Sequence, residues 1–203
     1  LGIKGDYNVW KHIVETAYNQ PGMEPLQFLV MCGFASPLFA LFGEVAGITV
    51  YAYSTKTGKG KSTACQTALS VWGDWSAMQL ADRSTTANAF WGIIGTYHNI
   101  PVVYDELTNM SPEEASEVVF GMSHGRVKER MDVTGKLRDN NSTWKNILLA
   151  TGNNMLSEKL SYNRANATPE LARVFEFNAK VEHRLNAAEA SRLFSQLLTN
   201  HGH

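Results

Sequence analysis

Apolar positions along the chain alternate between short continuous runs and helical stripes. Gly47-Ile48-Thr49-Val50-Tyr51-Ala52-Tyr53 is β-branched and aromatic and ends at a glycine-rich turn, which predicts a buried strand. Lys61 to Trp72 then reads as a helix stopped by Gly73. Phe90, Ile93, Ile94 and Tyr97 repeat at i, i+3, i+4, i+7 behind the capping candidates Thr85 and Thr86, predicting a second amphipathic helix. Val102-Val103-Tyr104 after Pro101 predicts another short strand. Ser111-Pro112-Glu113-Glu114 carries a full helix start, with a capping Ser, Pro in the first turn and Glu three residues on. Asn146 to Ala150 and Val174 to Phe177 read as further strands, with a hairpin expected over 127–138 around Thr134-Gly135. Asn186 to Thr199 repeats the cap and stripe, with Ala190, Leu193, Phe194, Leu197 and Leu198 on one face.

Strands alternating with helices predict an α/β fold, a mostly parallel sheet covered on both faces. In such sheets ligands gather beyond the carboxyl ends of the strands. The expected organisation is one compact domain, with an N-terminal helical segment over 1–46 packed on a core over 47–203. Because it begins at Leu1 and stops at His203, the chain is expected to be a fragment of a longer protein. The charge-free stretch Leu26 to Phe42 approaches the ~20 residues that span a bilayer. Gly33, Ser36 and Pro37 interrupt it and Glu44 closes it, so it reads as a buried helix pair.

Composition narrows the class. In 203 residues, 44% are hydrophobic and 18% charged, which excludes a disordered chain. Lys+Arg 18 against Asp+Glu 19 leaves a net charge of −1, so a nucleic acid would have to be met by a local patch. Cys32 and Cys65 lie in apolar surroundings and read as buried free thiols of a reducing compartment. His12, His98, His124 and His183 are dispersed, and Trp72, Trp75 and Trp91 read as core.

The chemistry begins at Thr55-Lys56-Thr57-Gly58-Lys59-Gly60-Lys61-Ser62, between the first strand and the first helix of the core. Glycines let backbone N–H groups wrap a polyphosphate, and the helix N-terminus adds partial positive charge. Thr57, Gly58, Lys59, Gly60, Lys61, Ser62 and Thr63 are the candidate nucleotide ligands. Lys61 would reach the β/γ-phosphates and Ser62 would hold Mg²⁺. Thr55 stands where the usual pattern has its first glycine, and a β-branched residue resists positive φ. The start of the loop is therefore expected to depart from the common geometry.

Asp105 and Glu106 end the Val102-Val103-Tyr104 run. A buried strand ending in two acids places Asp105 by the metal and Glu106 by an attacking water. With the phosphate loop, this pair implies nucleotide hydrolysis. At the end of the strand from Asn146, Asn153 is the candidate to touch both γ-phosphate and water, with Asn154 the rival. Arg173 opens the strand after Pro169-Glu170-Leu171-Ala172, where it could neutralise transition-state charge on a neighbouring subunit; Arg164 is the alternative. Residues 126–145 hold Arg126, Lys128, Arg130, Lys136, Arg138 and Lys145 against Glu129, Asp132 and Asp139. Alternation puts Lys128 and Arg130 on one face, and Lys136 and Arg138 likewise, where they could track single-strand phosphates.

With these residues placed, the chain resembles a superfamily 3 type helicase ATPase of the AAA+ class, and more narrowly the DUF927 family of phage and mobile-element replication proteins. Gly5-Asp6-Tyr7-x-x-Trp10, Ala35-Ser36-Pro37-Leu38, Ser70-Val71-Trp72-Gly73 and Thr86-Ala87-Asn88-Ala89 are similar to family signatures. His98-Asn99-Ile100-Pro101-Val102-Val103-Tyr104-Asp105-Glu106-Leu107 is similar to the family's Walker B segment, and Asn200-His201-Gly202-His203 to the start of a further motif. Asn153-Asn154 departs from relatives that carry a Glu there. The resemblance implies ATP and Mg²⁺ as cofactors, a homo-oligomeric, hexameric ring in the full-length protein with a monomer left open for this fragment, single-stranded DNA threaded past a basic pore hairpin, a fused or associated primase, and a host cytoplasm. Three readings stay open: a ring helicase motor, a DNA-dependent ATPase without unwinding, and a nucleotide-holding assembly module.

Overall fold

The computed structural model describes residues 2–43, 46–80, 85–126, 142–162 and 168–203. Nine α-helices and five strands run through them in the order α1 (Tyr7–Tyr18), α2 (Glu24–Ala35), β1 (Gly47–Tyr53), α3 (Lys61–Ser70), α4 (Trp75–Met78), β2 (Gln79–Leu80), α5 (Ala87–Tyr97), β3 (Val102–Tyr104), α6 (Pro112–His124), β4 (Asn146–Gly152), α7 (Leu156–Ser161), α8 (Thr168–Leu171), β5 (Val174–Asn178) and α9 (Ala187–Ser195). The strands form one sheet in the order β2-β3-β4-β1-β5, and each neighbouring pair of these strands runs parallel.

Parallel strands must be covered on both faces, and the alternation of side chains divides the core in two. Val50 and Ala52 of β1, Val103 of β3 and Ile147 and Leu149 of β4 pack toward α2 and α3. Tyr51, Val102, Tyr104, Leu148 and Ala150 point the other way, into a cluster with Phe90, Trp91 and Ile94 of α5 and Val118, Val119 and Met122 of α6. β4 lies in the middle and is buried at every position. β5 is an edge, and Phe175 on it is 54% exposed. Cys32 and Cys65 are buried free thiols; burial raises the Cys32 pKa to about 11 and pushes that of Cys65 up as well.

The helix that opens at Lys61, α3, is sandwiched between the sheet and the N-terminal helices. Lys61, Ala64, Cys65, Thr67, Ala68, Leu69 and Ser70 are all buried. Trp10 of α1 donates its indole N–H to Ser70 Oγ at 2.9 Å, and Tyr18 shares a 3.0 Å hydrogen bond with Thr67. Trp72, just past α3, donates to the Gly33 carbonyl at 2.8 Å. Gly33 lets α2 lie almost on the α3 backbone: a Cβ there would stand 2.6 Å from the Ala68 carbonyl oxygen. Lys4 and His201 pair antiparallel, tying the first and last described segments together, and Gly202 N–H caps the Ser70 carbonyl at 2.8 Å.

Several local expectations are refined. The apolar stretch beginning at Leu26 is α2 followed by a 3₁₀ turn over Ser36–Leu41, and only part of it is buried. Leu26, Leu29, Val30, Cys32 and Gly33 face inward, whereas Phe28, Met31, Phe34, Leu38, Leu41 and Phe42 are exposed. Glu24–Leu41 is long and apolar enough to cross a membrane by length and composition, with 33% of it buried. Of the two capping candidates before α5, Thr86 caps it, accepting from Ala89 N–H at 3.3 Å. Ser111 and Glu114 form the reciprocal capping box of α6. The expected last helix ends early, α9 giving way to a 3₁₀ turn at Gln196–Leu198. The hairpin expected over 127–138 lies outside the described residues; beside it, Arg126 and Thr143 bridge antiparallel.

Replacing Gly33 with Ala should lower unfolding free energy by about 1–3 kcal/mol, because the added methyl must push α2 off the α3 backbone. Chemical denaturation measures it, and an unchanged midpoint would show that the close approach carries no weight.

Candidate nucleotide site

Beyond Tyr53 the chain leaves the sheet and must turn back into α3. Ser54 staples the start of this turn, accepting from Lys56 N–H at 3.2 Å and donating to the Lys56 carbonyl at 3.1 Å. Gly58 (φ 70°) and Gly60 (φ 78°) supply the left-handed steps. Among the described residues His98 and Glu106 are the non-glycine positions with positive φ, so Thr55 makes no such demand. The β-branched residue at the start of the loop is thus accommodated without strain. Gly60 is the N-cap of α3 and offers no side chain, leaving the first-turn amides turned toward the loop.

Side-chain alternation sets what faces that loop. Asp105 follows β3 with the same parity as Val103, and Thr151 in β4 the same parity as Leu149, so both project to the face on which α3 packs. Ser62 in the first turn of α3 donates to Asp105 Oδ1 at 2.9 Å. Thr151 Oγ1 donates to the same oxygen and accepts the Glu106 amide N–H at 3.2 Å. Glu106 itself takes φ 58° and ψ 49°, which swings its side chain out of strand alternation. Its carboxylate accepts from Asn153 Nδ2 at 3.2 and 3.0 Å.

Lys61 is 7% exposed, and its ammonium donates to the Ser54 carbonyl at 3.3 Å. Burial draws its pKa down, while the nearby charges of Glu106 and Asp105 act to keep it protonated. The structure therefore brings Lys61, Ser62, Asp105, Glu106 and Asn153 into one group at the carboxyl ends of β1, β3 and β4. Ser62 and Asp105 present two hard oxygens 2.9 Å apart, a set that suits Mg²⁺, which takes few protein ligands and completes its shell with water and phosphate.

The remaining candidates divide. Asn154 turns its carbonyl to Tyr51 Oη, which donates at 2.8 Å, and of the two asparagines it is Asn153 whose amide meets Glu106. Lys59 donates to the Val181 carbonyl at 2.9 Å, joining the loop to the segment after β5. Thr57 and Gly58 are exposed, while Gly60, Ser62 and Thr63 are half-buried. Arg173 precedes β5 at the amino end of the sheet, away from its own chain's loop. There Nε donates to Ser123 Oγ at 2.8 Å, Nη1 donates to the Pro169 carbonyl, and the guanidinium lies 4.4 Å from the centre of the Phe120 ring. Arg164, Lys128, Arg130, Lys136 and Arg138 fall outside the described residues.

Sequence reasoning passed over Thr151, a buried hydroxyl directly after the apolar run Ile147 to Ala150, although that contrast is visible in the run itself. It also passed over Glu176, which accepts the Leu156 N–H and, at 3.3 and 3.4 Å, the Ser157 N–H, holding the start of α7 beside the site. A cavity of about 490 Å³ opens next to the loop, bounded by Gly58, Gly60 and Thr63 on one side. Tyr18, Met23, Leu26 and Trp75 form its apolar wall, and His183, Arg184 and Phe194 close it from the α9 side.

The sequence model of DUF927, a domain of unknown function, matches residues 1–142, and the chain belongs to that family. Among solved structures, one titled "SCCmec type IV Cch - active helicase" superposes with a TM-score of 0.73 at 20% identity, so the two share a fold. All of this chain is covered, but 36% of the other, so it spans about a third of that helicase's length. The Aeropyrum pernix ORC2 protein, solved in ADPNP-ADP complexes, gives a TM-score of 0.44 at 13% identity, covering 97% of this chain and 56% of that one. No curated protein matches the sequence.

Glu106 is held where a residue with a Cβ is disfavoured by about 1–2 kcal/mol. Glu106→Gly should therefore raise the unfolding free energy by roughly 1 kcal/mol, seen as a higher melting temperature. A lower melting temperature would show that the contact with Asn153 outweighs the backbone strain.

Proposed function

We propose that this DUF927 domain binds ATP with Mg²⁺ and hydrolyses it, serving as the motor of a ring-forming helicase of the superfamily 3 type. The observation that supports this most is the meeting of Lys61, Ser62, Asp105, Glu106 and Asn153 at one end of the sheet. Each side chain then has a role. The amides of residues 58–63 and the helix α3 terminus receive the phosphates. Lys61, turned to a carbonyl of its own loop, exchanges that partner for β- and γ-phosphate oxygens. Ser62 and Asp105 hold Mg²⁺, which when bound offsets charge developing on the phosphates. Glu106 aligns a water with the γ-phosphate and takes its proton. Asn153 touches both the glutamate and the transferred group. The cavity beside Gly58 and Gly60 takes the base against the apolar wall of Tyr18 and Trp75.

Arg173 lies at the far end of the sheet from its own loop, so its phosphate contact is made to a nucleotide held by the next subunit of a hexameric ring. Its tether to Ser123 and Phe120 gives it a fixed direction for that role. The basic residues Lys128, Arg130, Lys136 and Arg138 follow single-stranded DNA through the ring, next to an associated primase activity in the host cytoplasm.

ATPase activity measured with and without single-stranded DNA, across protein concentration, tests this reading. Stimulation by DNA and a rise in specific activity with concentration are expected. Lys61→Ala should abolish nucleotide binding, and Glu106→Gln should keep binding while turnover falls by about 10²–10⁴-fold. Activity that is indifferent to DNA leaves an ATPase of another kind, and tight binding without turnover leaves an assembly module. Wild-type turnover in Glu106→Gln would remove the glutamate from the chemistry.

A further inference from the structure

Among the described residues of β4, Thr151 is the fully buried hydroxyl at the end that meets the site. The sheet register fixes where it goes. Ala150 pairs with Tyr104, and Thr151 pairs with Ala52, so residue 151 falls between the residue after β3, Asp105, and the strand that launches the phosphate loop. Its single hydrogen is given to Asp105 Oδ1, the oxygen that also accepts from Ser62. A lone pair of the same hydroxyl accepts the amide N–H of Glu106 at 3.2 Å. A hydroxyl donates and accepts at once, which neither a methyl nor a carboxylate does. One side chain thus holds the side chain of one acid and the backbone of the next.

Glu106 is the residue whose backbone needs such a hold, since φ 58° and ψ 49° are unfavourable for any side chain with a Cβ. Released from Thr151, the peptide between Asp105 and Glu106 is free to relax toward an ordinary conformation. The Glu106 carboxylate would then leave Asn153, to which it is now bonded by both oxygens. Lys61 hydrogen-bonds to the Ser54 carbonyl rather than to Thr151, and the glycine loop turns through Ser54, so phosphate binding does not depend on the Thr151 hydroxyl.

We propose that Thr151 is a positioning residue for hydrolysis: its hydroxyl sets the angle between Asp105 and Glu106 and so delivers the glutamate to Asn153 and the water, without itself touching nucleotide. The proposal rests on the nucleotide reading given above. A residue with a merely structural role would lose stability, affinity and turnover together, whereas a positioning residue separates them.

Thr151→Val keeps the shape and removes the hydroxyl, and Thr151→Ser restores it. The full chain of each is compared with wild type for ADP affinity in EDTA, for kcat and KM with ATP and Mg²⁺, and for melting temperature. ADP affinity is expected to stay within about threefold in both, while Thr151→Val loses on the order of 10²-fold in kcat with KM little changed. Thr151→Ser is expected to recover turnover to within about fivefold of wild type, since it keeps both a donor and an acceptor. Wild-type kcat in Thr151→Val overturns the proposal, as does a folded Thr151→Ser as inactive as the valine variant. A matched loss of ADP affinity and stability also overturns it. If the valine variant fails to fold, Thr151→Cys, a weak donor of similar size, gives the same contrast with Ser. A wild-type chain that binds no ADP refutes the nucleotide reading, and the role of Thr151 with it; bound ADP with unmoved turnover refutes the role of Thr151 alone.

Discussion

The hydrogen bond from Ser62 to Asp105 exists because β4 lies between β1 and β3. These three strands are far apart in sequence, and each delivers one part of the site at its carboxyl end. β1 leads into the glycine loop, β3 into the two acids, and β4 into Thr151 and Asn153. A parallel sheet aligns all three ends at one edge, so its register determines which side chains can meet. A one-residue slip of β4 would send Thr151 to the opposite face and leave Asp105 with Ser62 alone.

The same arrangement explains where the backbone departs from ordinary conformations. Gly58 and Gly60 absorb the turn of the loop at no steric cost, while Glu106 takes a left-handed conformation that its side chain disfavours. The compensation is local. Thr151 accepts the Glu106 amide, Asn153 binds its carboxylate, and α3, wedged under α2 by the close approach at Gly33, keeps Ser62 against Asp105. Lys61 is balanced in the same way: its buried ammonium is tolerated beside two carboxylates, which oppose the loss of charge that burial favours.

Much of this is legible in the order of the amino acids. The β-branched run at 47–53 is β1, the apolar run that starts at Asn146 is β4, and the Ser111 capping box forms as its spacing requires. The glycine–lysine loop and the Asp105-Glu106 pair meet because short apolar runs ending in polar residues are what a parallel sheet displays at its functional edge. Other features leave no such trace. Two-residue β2 is too short to show periodicity, and α7 owes its start to Glu176, a residue that reads as an ordinary strand position. The exposed row of Phe28, Met31 and Phe34 cannot be told from core by pattern, since an all-round apolar helix gives no stripe to orient it. Thr55 reads as a defect of the loop only if the position of the first consensus glycine demands positive φ, and here it does not.

The most direct test is a structure of the full chain with Mg²⁺ and a non-hydrolysable ATP analogue. Phosphates are expected on the amides of residues 58–63, with Lys61 moved from the Ser54 carbonyl to the β- and γ-phosphates and a metal ion held by Ser62 and Asp105. An analogue bound elsewhere, or Lys61 still on the Ser54 carbonyl with the nucleotide in place, would contradict a nucleotide site built on this loop.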